Sequence, residues 1–575
     1  MVITSKNVYN FTFIQEVYSK KVLGANIFAP IYNIKKVARH NKFFTLLVFG
    51  IFGFLYFHLA TNMLQIKTDG WYVGQINLYG DLVFHLSLIN KFLASNSVQI
   101  DNPIFSGAKV GYPITADWIT AIIAKSTSLT FSLFVTTFIW GILGIYVARL
   151  FIKTFIKNER IVFLSLLLFF VNGGFGFYYF FQDLFVSQKP LIQFLLSMPE
   201  QYTDIKEKGY WWINTYLAYF LPQRGFLLAF PITLLALVLL YRGLQKNSAK
   251  YICLAGLLCG TLPLVQPHSL LLIFLLSLMF FAIELLKNRN EARIKNWLIF
   301  GLITTIFSIP ILKSLFDQSL SHFVFAPGWT SQENIIWFWF KNLGIFGPLL
   351  IISIFWIYNK NRHYFYLYFP FLMIFVLSNI FIFQPWNFDN SKLLVYWFFT
   401  SCILVAYFLY DNFFTETLLK KIIGTVLVSL MIFAGALDLF RTFTPVTNYK
   451  IFSNDDIKIA SAVKNKTSSS AVFVTSSIHN HPVSALSGRS TLLGFHGWLW
   501  SHGIQFNSRA NDLKTIYLGG SEAEQLIKKY KINYVTIGPP EKSEFSINYS
   551  YFNKFPVAIE NTEWKIYDVK DSGSR

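Results

Sequence analysis

At 43–60 the chain reads FFTLLVFGIFGFLYFHLA, an apolar run with no Asp, Glu, Lys or Arg. A hydrocarbon core about 30 Å thick takes roughly 20 helical residues to cross, because a helix satisfies its own backbone where water is absent. This run therefore reads as a membrane-spanning helix. Similar stretches follow at 129–150, 161–181, 223–241, 251–265, 269–286, 296–315, 335–358, 364–383, 393–410 and 422–440, giving about eleven spans. The fold class expected is an α-helical polytopic membrane protein.

Composition agrees with that reading. Of 575 residues, 54% are hydrophobic and only 14% charged, whereas a soluble globular chain carries about a quarter charged residues. A soluble, disordered or fibrous protein is excluded. The formal charge of +20 comes from short basic clusters between the apolar runs, which is orientation charge and not a nucleic-acid face. Cys253, Cys259 and Cys402 all lie inside apolar stretches, so neither a disulfide framework nor a cysteine zinc site is available.

The basic clusters also set an orientation. Lys35, Lys36, Arg39 and Lys42 precede the first span. Further clusters are Arg149/Lys153/Lys157/Arg160, Arg242/Lys246/Lys250, Lys287/Arg289/Arg293/Lys295, Lys360/Arg362 and Lys420/Lys421. All fall on one side if the spans alternate. The positive-inside rule places that side, with residues 1–42, in the cytoplasm of a multi-pass inner (plasma) membrane protein. The first span lacks a small-residue cleavage site and reads as a retained anchor.

Within the transmembrane domain 43–440, a long first outer loop (61–128) mixes apolar runs such as Leu82–Leu88 with Asp, Asn and Gly. It is expected to form amphipathic helices lying on the membrane. From 441 to 575 the composition turns ordinary. Asp455–Val463 reads as a helix, Ala471–Thr475 as a strand, Ser521–Lys531 as a helix with a Ser521/Glu524 capping box, and Ile532–Ile537 and Trp564–Val569 as strands. A small extracytoplasmic α/β domain is the expected assembly.

Polar residues that apolar spans do not need gather at the outer helix mouths. In Tyr79-Gly80-Asp81-Leu82-Val83-Phe84-His85 the acid and the imidazole are four apart, so they share one face of a helix. Such a carboxylate can take a proton from a hydroxyl, with the histidine orienting it; a solvated helix cap is the plain alternative. Gln223-Arg224 opens the fourth span, where a guanidinium suits a lipid phosphate or serves as an interfacial anchor. His268 follows Gln266-Pro267, a turn that could face the same phosphate. Asp389-Asn390-Ser391-Lys392 brings an acid, an amide and an ammonium to another mouth, as a binding set or a structural ion pair. Asp101, Asp117, Asp183, Asp317, His322 and Lys341 lie on the same side without distinctive spacing.

The tail carries His479-Asn480-His481, Gly488-Arg489 and Gly494-Phe495-His496-Gly497-Trp498-Leu499-Trp500-Ser501-His502-Gly503. Four histidines offer zinc ligands, but no Cys, Asp or Glu completes the set nearby. A glycine-rich loop folding back on the membrane domain is the simpler reading, with Trp498 and Trp500 at the interface or stacked on a sugar. Nucleotide-binding, hydrolase-elbow and H-E-x-x-H signatures are absent.

The layout resembles the GT-C superfamily of integral-membrane glycosyltransferases over most of the chain. The resemblance rests on Gly80-Asp81 with His85, Gly111-Tyr112-Pro113 with Asp117, Pro222-Gln223-Arg224-Gly225, Phe388-Asp389-Asn390-Ser391-Lys392, and Gly488-Arg489 with Trp498-Leu499-Trp500-Ser501-His502. It implies an enzyme that moves a sugar from a polyprenyl-phosphate carrier, with inversion, to a lipid, glycan or protein acceptor at the extracytoplasmic face. The implied catalytic pair is Asp81, as general base, and His85. The implied donor-phosphate ligands are Arg224, His268 and Lys392. Asp117, Gln223, Asp389, Asn390, Arg489, Trp498, Trp500 and His502 are the implied substrate contacts. The paired acids common in the family's first loop are missing, because Gly80 and Leu82 flank Asp81. No cofactor is therefore expected, with a divalent metal as the alternative. The W-W-D signature of oligosaccharyltransferases is also absent, since Ile213 follows Trp211-Trp212. Implied partners are the lipid-linked donor, the acceptor and membrane lipids, with no nucleic acid. Rival readings are a lipid or polysaccharide transporter, a lipid-linked glycan ligase or polymerase, and a non-catalytic assembly protein; a transporter would want mid-membrane charges and an internal repeat.

Overall fold

The computed structural model describes residues 29–95, 97, 99–287, 290–316, 323–330 and 333–570, with side chains from Lys42 onward. Asp317 and His322 lie outside the described residues. Among the described residues, eight helices are long and apolar enough to cross a membrane: Lys42–Thr61, Leu129–Phe155, Arg224–Lys246, Pro267–Lys287, Glu291–Leu315, Arg362–Ile380, Asn387–Phe414 and Leu418–Arg441. The expected spans at 161–181, 251–265 and 335–358 are not single straight crossings.

The first and last of these break where they touch. Helix Glu159–Phe170 stops before Gly173-Gly174, and the chain resumes as helix Phe177–Ser187. Helices Ile335–Leu343 and Phe346–Lys360 meet at a 96° bend. Gly344 sits at that bend with φ +59°, a conformation that favours glycine. A Cβ on Gly174 would lie 2.3 Å from the Asn342 carbonyl oxygen, so the two breaks pack backbone against backbone. The freed backbone groups find side chains: Asn214 Nδ2 donates to Phe170 O at 3.0 Å, and Thr215 Oγ1 to Phe169 O at 2.6 Å. Asn342 Oδ1 accepts from the Trp211 and Trp212 amides at 3.0 and 2.9 Å. Interior breaks survive in a membrane only with such partners. At 251–265 a short helix, Ala249–Thr261, runs into a 3-10 turn.

The helix ends are sorted. The ends rich in Lys and Arg surround one cavity that takes in Phe155, Tyr241, Lys287, Arg293 and His363. At the opposite end, Thr115 Oγ1 donates to Leu264 O at 2.6 Å, and His58 lies 3.1 Å from Thr442 O. The first loop and the tail stand at this second end.

The apolar run Leu82–Leu88 of the first loop is enclosed by protein on both sides and does not expose one face. Helix α1 (Ala29–Thr61) leads through a two-stranded turn, Gln65–Lys67 and Gly70–Val73, to helix α2 (Ile76–Ser95). Strand Gly70–Val73 then pairs antiparallel with Tyr449–Ser453 of the tail. From Leu82 to Phe92 every residue of α2 is buried. Leu82, Val83, Leu86 and Ile89 join the core of the helical bundle, while Phe84 and Leu88 join the core of the tail. An amphipathic surface helix has one apolar face; α2 has apolar residues all round and is buried between two bodies. Even Lys91 is buried, donating to Ser490 Oγ at 2.9 Å.

The tail is a mixed five-stranded sheet in the order 490–491, 472–474, 534–537, 565–568, 557–560. The first three strands run parallel and the last two pairings are antiparallel. The expected helices and strands are present. The capping box is not where the sequence suggests: Gly520 stands at the N-cap before Ser521, with no side-chain cap. The box forms instead at Ser453/Asp456, where the serine sits one residue before the first helical turn.

Candidate functional site

Helix α2 starts on Gln75, whose Oε1 accepts the Leu78 amide at 3.1 Å. It thereby presents Asp81 and His85, one turn apart, at the seam between bundle and tail. Helix α3 (Thr115–Ser126) brings Asp117 in its first turn, and helix α4 (Leu129–Phe155) brings Thr136 and Thr137. The Arg224–Lys246 helix points its first residue inward.

These elements make a buried chain of polar contacts. His85 Nδ1 lies 2.9 Å from Asp117 Oδ2, and Asp117 Oδ1 lies 3.4 Å from Arg224 Nε. The Arg224 guanidinium donates to Thr120 Oγ1 at 2.5 Å, Thr136 Oγ1 at 2.9 Å and Thr137 Oγ1 at 3.4 Å. Asp117 and Arg224 are both fully buried. Arg224 therefore does not sit at a rim open to lipid phosphate: threonines and a carboxylate cage it. A carboxylate on Nδ1 fixes the histidine's tautomer and leaves Nε2 for the cleft.

Around Asp81 the charges are mixed. Burial raises its carboxyl to about 6, helped by Asp389 and opposed by His85 and Lys392. Lys392 Nζ and Asp389 Oδ1 form a pair at 2.7 Å. The tail contributes His502, whose ring stands 5.1 Å from Phe84 and 4.9 Å from Tyr112. Burial, then the nearby Lys392 and His85 charges, hold His502 down at about 4 against the pull of Asp389, so it is neutral at working pH. Tyr112 is pushed well above the usual phenol range by burial and by Asp117, Asp81 and Asp389, and it keeps its proton. Nδ1 of His268 and Oε1 of Gln223 are buried without a partner, and His268 shares the field of Lys392 and Asp389.

Asp81, His85, Asp117, Arg224, His268, Asp389, Lys392 and His502 thus gather at one seam. Trp498 lies beside it, half-buried, its ring 5.3 Å from Phe84. Asn390 and Arg489, expected as substrate contacts, have their polar groups engaged elsewhere. Asn390 Nδ2 donates to Ser378 O and Phe381 O, both at 2.8 Å, which closes a loop. Arg489 donates to Lys464 O at 2.7 Å and Thr467 O at 2.6 Å, tying down the end of a tail helix. Trp500 faces outward, 49% exposed. The four tail histidines are dispersed: His481 is 2.7 Å from Glu541, and His496 stacks on Phe506. Among the described residues no three His, Cys, Asp or Glu side chains group to hold a metal ion.

Sequence reasoning passed over Tyr112, Thr120, Thr136 and Thr137 as site residues. The one available signal was the Thr136-Thr137 pair inside an apolar span, where a hydroxyl needs a reason to be.

No family model matches the sequence, and no curated protein sequence matches it. Solved structures do. The oligosaccharyltransferase of Archaeoglobus fulgidus in its apo form superposes with a TM-score of 0.51 at 12% identity, over 86% of this chain and 69% of that one. The same organism's AglB, in complex with an inhibitory peptide and a dolichol-phosphate, gives 0.52 at 11% identity, over 87% and 70%. ArnT from Cupriavidus metallidurans in the apo state covers 91% of this chain and 97% of its own at 10% identity, with a TM-score of 0.47. In architecture this chain shares the fold of these archaeal oligosaccharyltransferases, with a small sheet domain at its C-terminal end.

Proposed function

We propose that the protein is a membrane glycosyltransferase that moves a sugar from a polyprenyl-phosphate carrier to an acceptor hydroxyl at the extracytoplasmic face, with inversion. The observation that carries this reading is Asp81, a carboxylate with a value of about 6, set at the seam beside the Asp389–Lys392 pair. The N-terminus is cytoplasmic and the tail extracytoplasmic, in keeping with the basic clusters at the other end of the bundle.

The step is a single in-line displacement. Asp81 takes the proton of the acceptor hydroxyl as the acceptor oxygen bonds to the anomeric carbon; the bond from that carbon to the phosphate oxygen breaks, and the electron pair leaves with the polyprenyl phosphate. Lys392 meets the negative charge on the leaving phosphate, and His268 and Gln223, each with an unpartnered polar atom, complete its binding. His85 is held by Asp117 and Arg224, so its free nitrogen is fixed toward the reacting groups. Tyr112 and neutral His502 wall the cleft against water. Trp498 offers a face for a sugar ring. Burial of Asp81 keeps it basic enough to act near neutral pH.

Two measurements test the reading. With Asp81 as base, kcat/KM climbs with pH through about 6 and levels off above it; a profile flat between pH 5 and 7 refutes the assignment. Lys392→Gln raises the KM for the polyprenyl-phosphate donor by about tenfold, the effect of one charge-assisted contact, with the acceptor KM little changed. An unchanged donor KM removes Lys392 from the phosphate site.

A further inference from the structure

At the basic end of the bundle, far from Asp81, the helix ends enclose a second cavity of about 270 Å³. Phe151, Leu237, Leu240, Phe280, Phe371 and Leu404 supply its apolar wall. The Tyr364, Tyr368 and Thr400 hydroxyls in the lining are hydrogen-bonded within the protein, and the charged groups stand at the rim. The rim holds Lys287, Arg293, Glu284 and His363. Arg293 Nη1 pairs with Glu284 Oε2 at 3.2 Å, so the acid is neutralised. Lys287 lies over the Tyr366 ring, not against a carboxylate. In the wall, Trp297 is buried, and its indole N–H has no hydrogen-bond partner.

An apolar chamber, a net positive rim and an idle donor between them match one kind of molecule. Its tail is hydrocarbon, its linkage offers an acceptor oxygen, and its head is an anion. An isolated indole N–H buried in a protein wants an acceptor. A lysine at a membrane interface attracts anionic headgroups.

We propose that this cavity is a binding site for an anionic phospholipid of the membrane leaflet at the basic end, separate from the sugar-transfer seam. One acyl chain fills the chamber, an ester oxygen accepts from Trp297 Nε1, and the phosphate sits against Lys287. A zwitterionic lipid of equal tail length binds more weakly, because its headgroup brings a cation toward Lys287 and Arg293.

Native mass spectrometry of the full chain, released from detergent with equal amounts of phosphatidylglycerol and phosphatidylcholine, tests this. The expected result is one retained phosphatidylglycerol, favoured at least fivefold over phosphatidylcholine. Lys287→Gln, at an exposed position, is expected to abolish that preference. Leu240→Trp, which fills the chamber, is expected to reduce retention of both lipids; should it fail to fold, Lys287→Gln still decides. Equal retention of the two lipids by the wild type, or an undiminished preference in Lys287→Gln, overturns the proposal. Sugar transfer is not the readout, so failure here leaves the Asp81 assignment intact.

Discussion

Asp81→Asn is expected to lower sugar transfer by about 10²–10⁴-fold, the range for loss of a general base, without loss of folding. An amide has the carboxylate's shape but does not accept a proton at working pH. The same variant is expected to be more stable than the wild type at alkaline pH. Burial raises the Asp81 carboxyl in the folded protein to about 6, above its usual value of 3.8. Its contribution to stability is therefore fully present below the unfolded value and is lost as pH rises through about 6, where the half-buried group must ionise. Discounted for the solvent that reaches it, the gain from Asn at pH 8 is on the order of 1–2 kcal/mol, and it vanishes at pH 4. Turnover with a lipid-linked donor and thermal melting at the two pH values measure the two effects. A variant with wild-type turnover would refute the catalytic role; an inactive variant whose melting point also falls at pH 8 would show that Asp81 is structural.

Arg224→Met is expected to destabilise the fold by about 3–5 kcal/mol, because it strands the buried Asp117 carboxylate with only His85 as partner. Asp117→Leu should cost a similar amount by stranding the guanidinium among its three threonines. The two changes together should cost less than their sum, since removing both members of a buried pair removes the uncompensated charge. A double-mutant cycle on melting temperature reads this directly. From the sequence, Arg224 at a span's outer mouth suggests a lipid-phosphate ligand, and its replacement would then raise donor KM in a stable protein. That outcome would overturn the structural role described here. The two roles differ by burial: a fully buried guanidinium paired with Asp117 and donating to three threonine hydroxyls is not open to a ligand at the surface.

The legibility of the site follows the range of the interactions. Asp81 and His85 could be paired from spacing, because i and i+4 share a helix face whatever surrounds them. That Asp389 and Lys392 would pair was also open to local reasoning, one helical turn apart. His85 and Asp117 are another matter. Thirty-two positions separate them, and nothing local distinguishes Asp117 from Asp101 or Asp183. Tyr112 was visible only as part of a Gly-Tyr-Pro turn; its place among Phe84, His85 and His502 depends on the tail folding back over the first loop. Arg489 misleads for the opposite reason, since a lone arginine in a glycine-rich loop looks like a ligand until its carbonyl partners come into view.

By itself, the sequence determined what the solvent dictates. Apolar runs of the right length must be helices in hydrocarbon, basic loops must gather at one end, and a tail of ordinary composition must fold outside the bilayer. It did not determine which runs stay straight. Residues 161–181 and 335–358 are apolar enough to cross, yet both break where Gly174 meets Asn342 backbone to backbone, and Asn214 and Thr215 take up the Phe170 and Phe169 carbonyls. It did not determine the place of α2 either. A helix apolar on every side can lie between any two bodies, and only the pairing of Gly70–Val73 with Tyr449–Ser453 shows which two. Hydropathy is a sum over neighbours in the chain; those decisions rest on contacts between residues hundreds of positions apart.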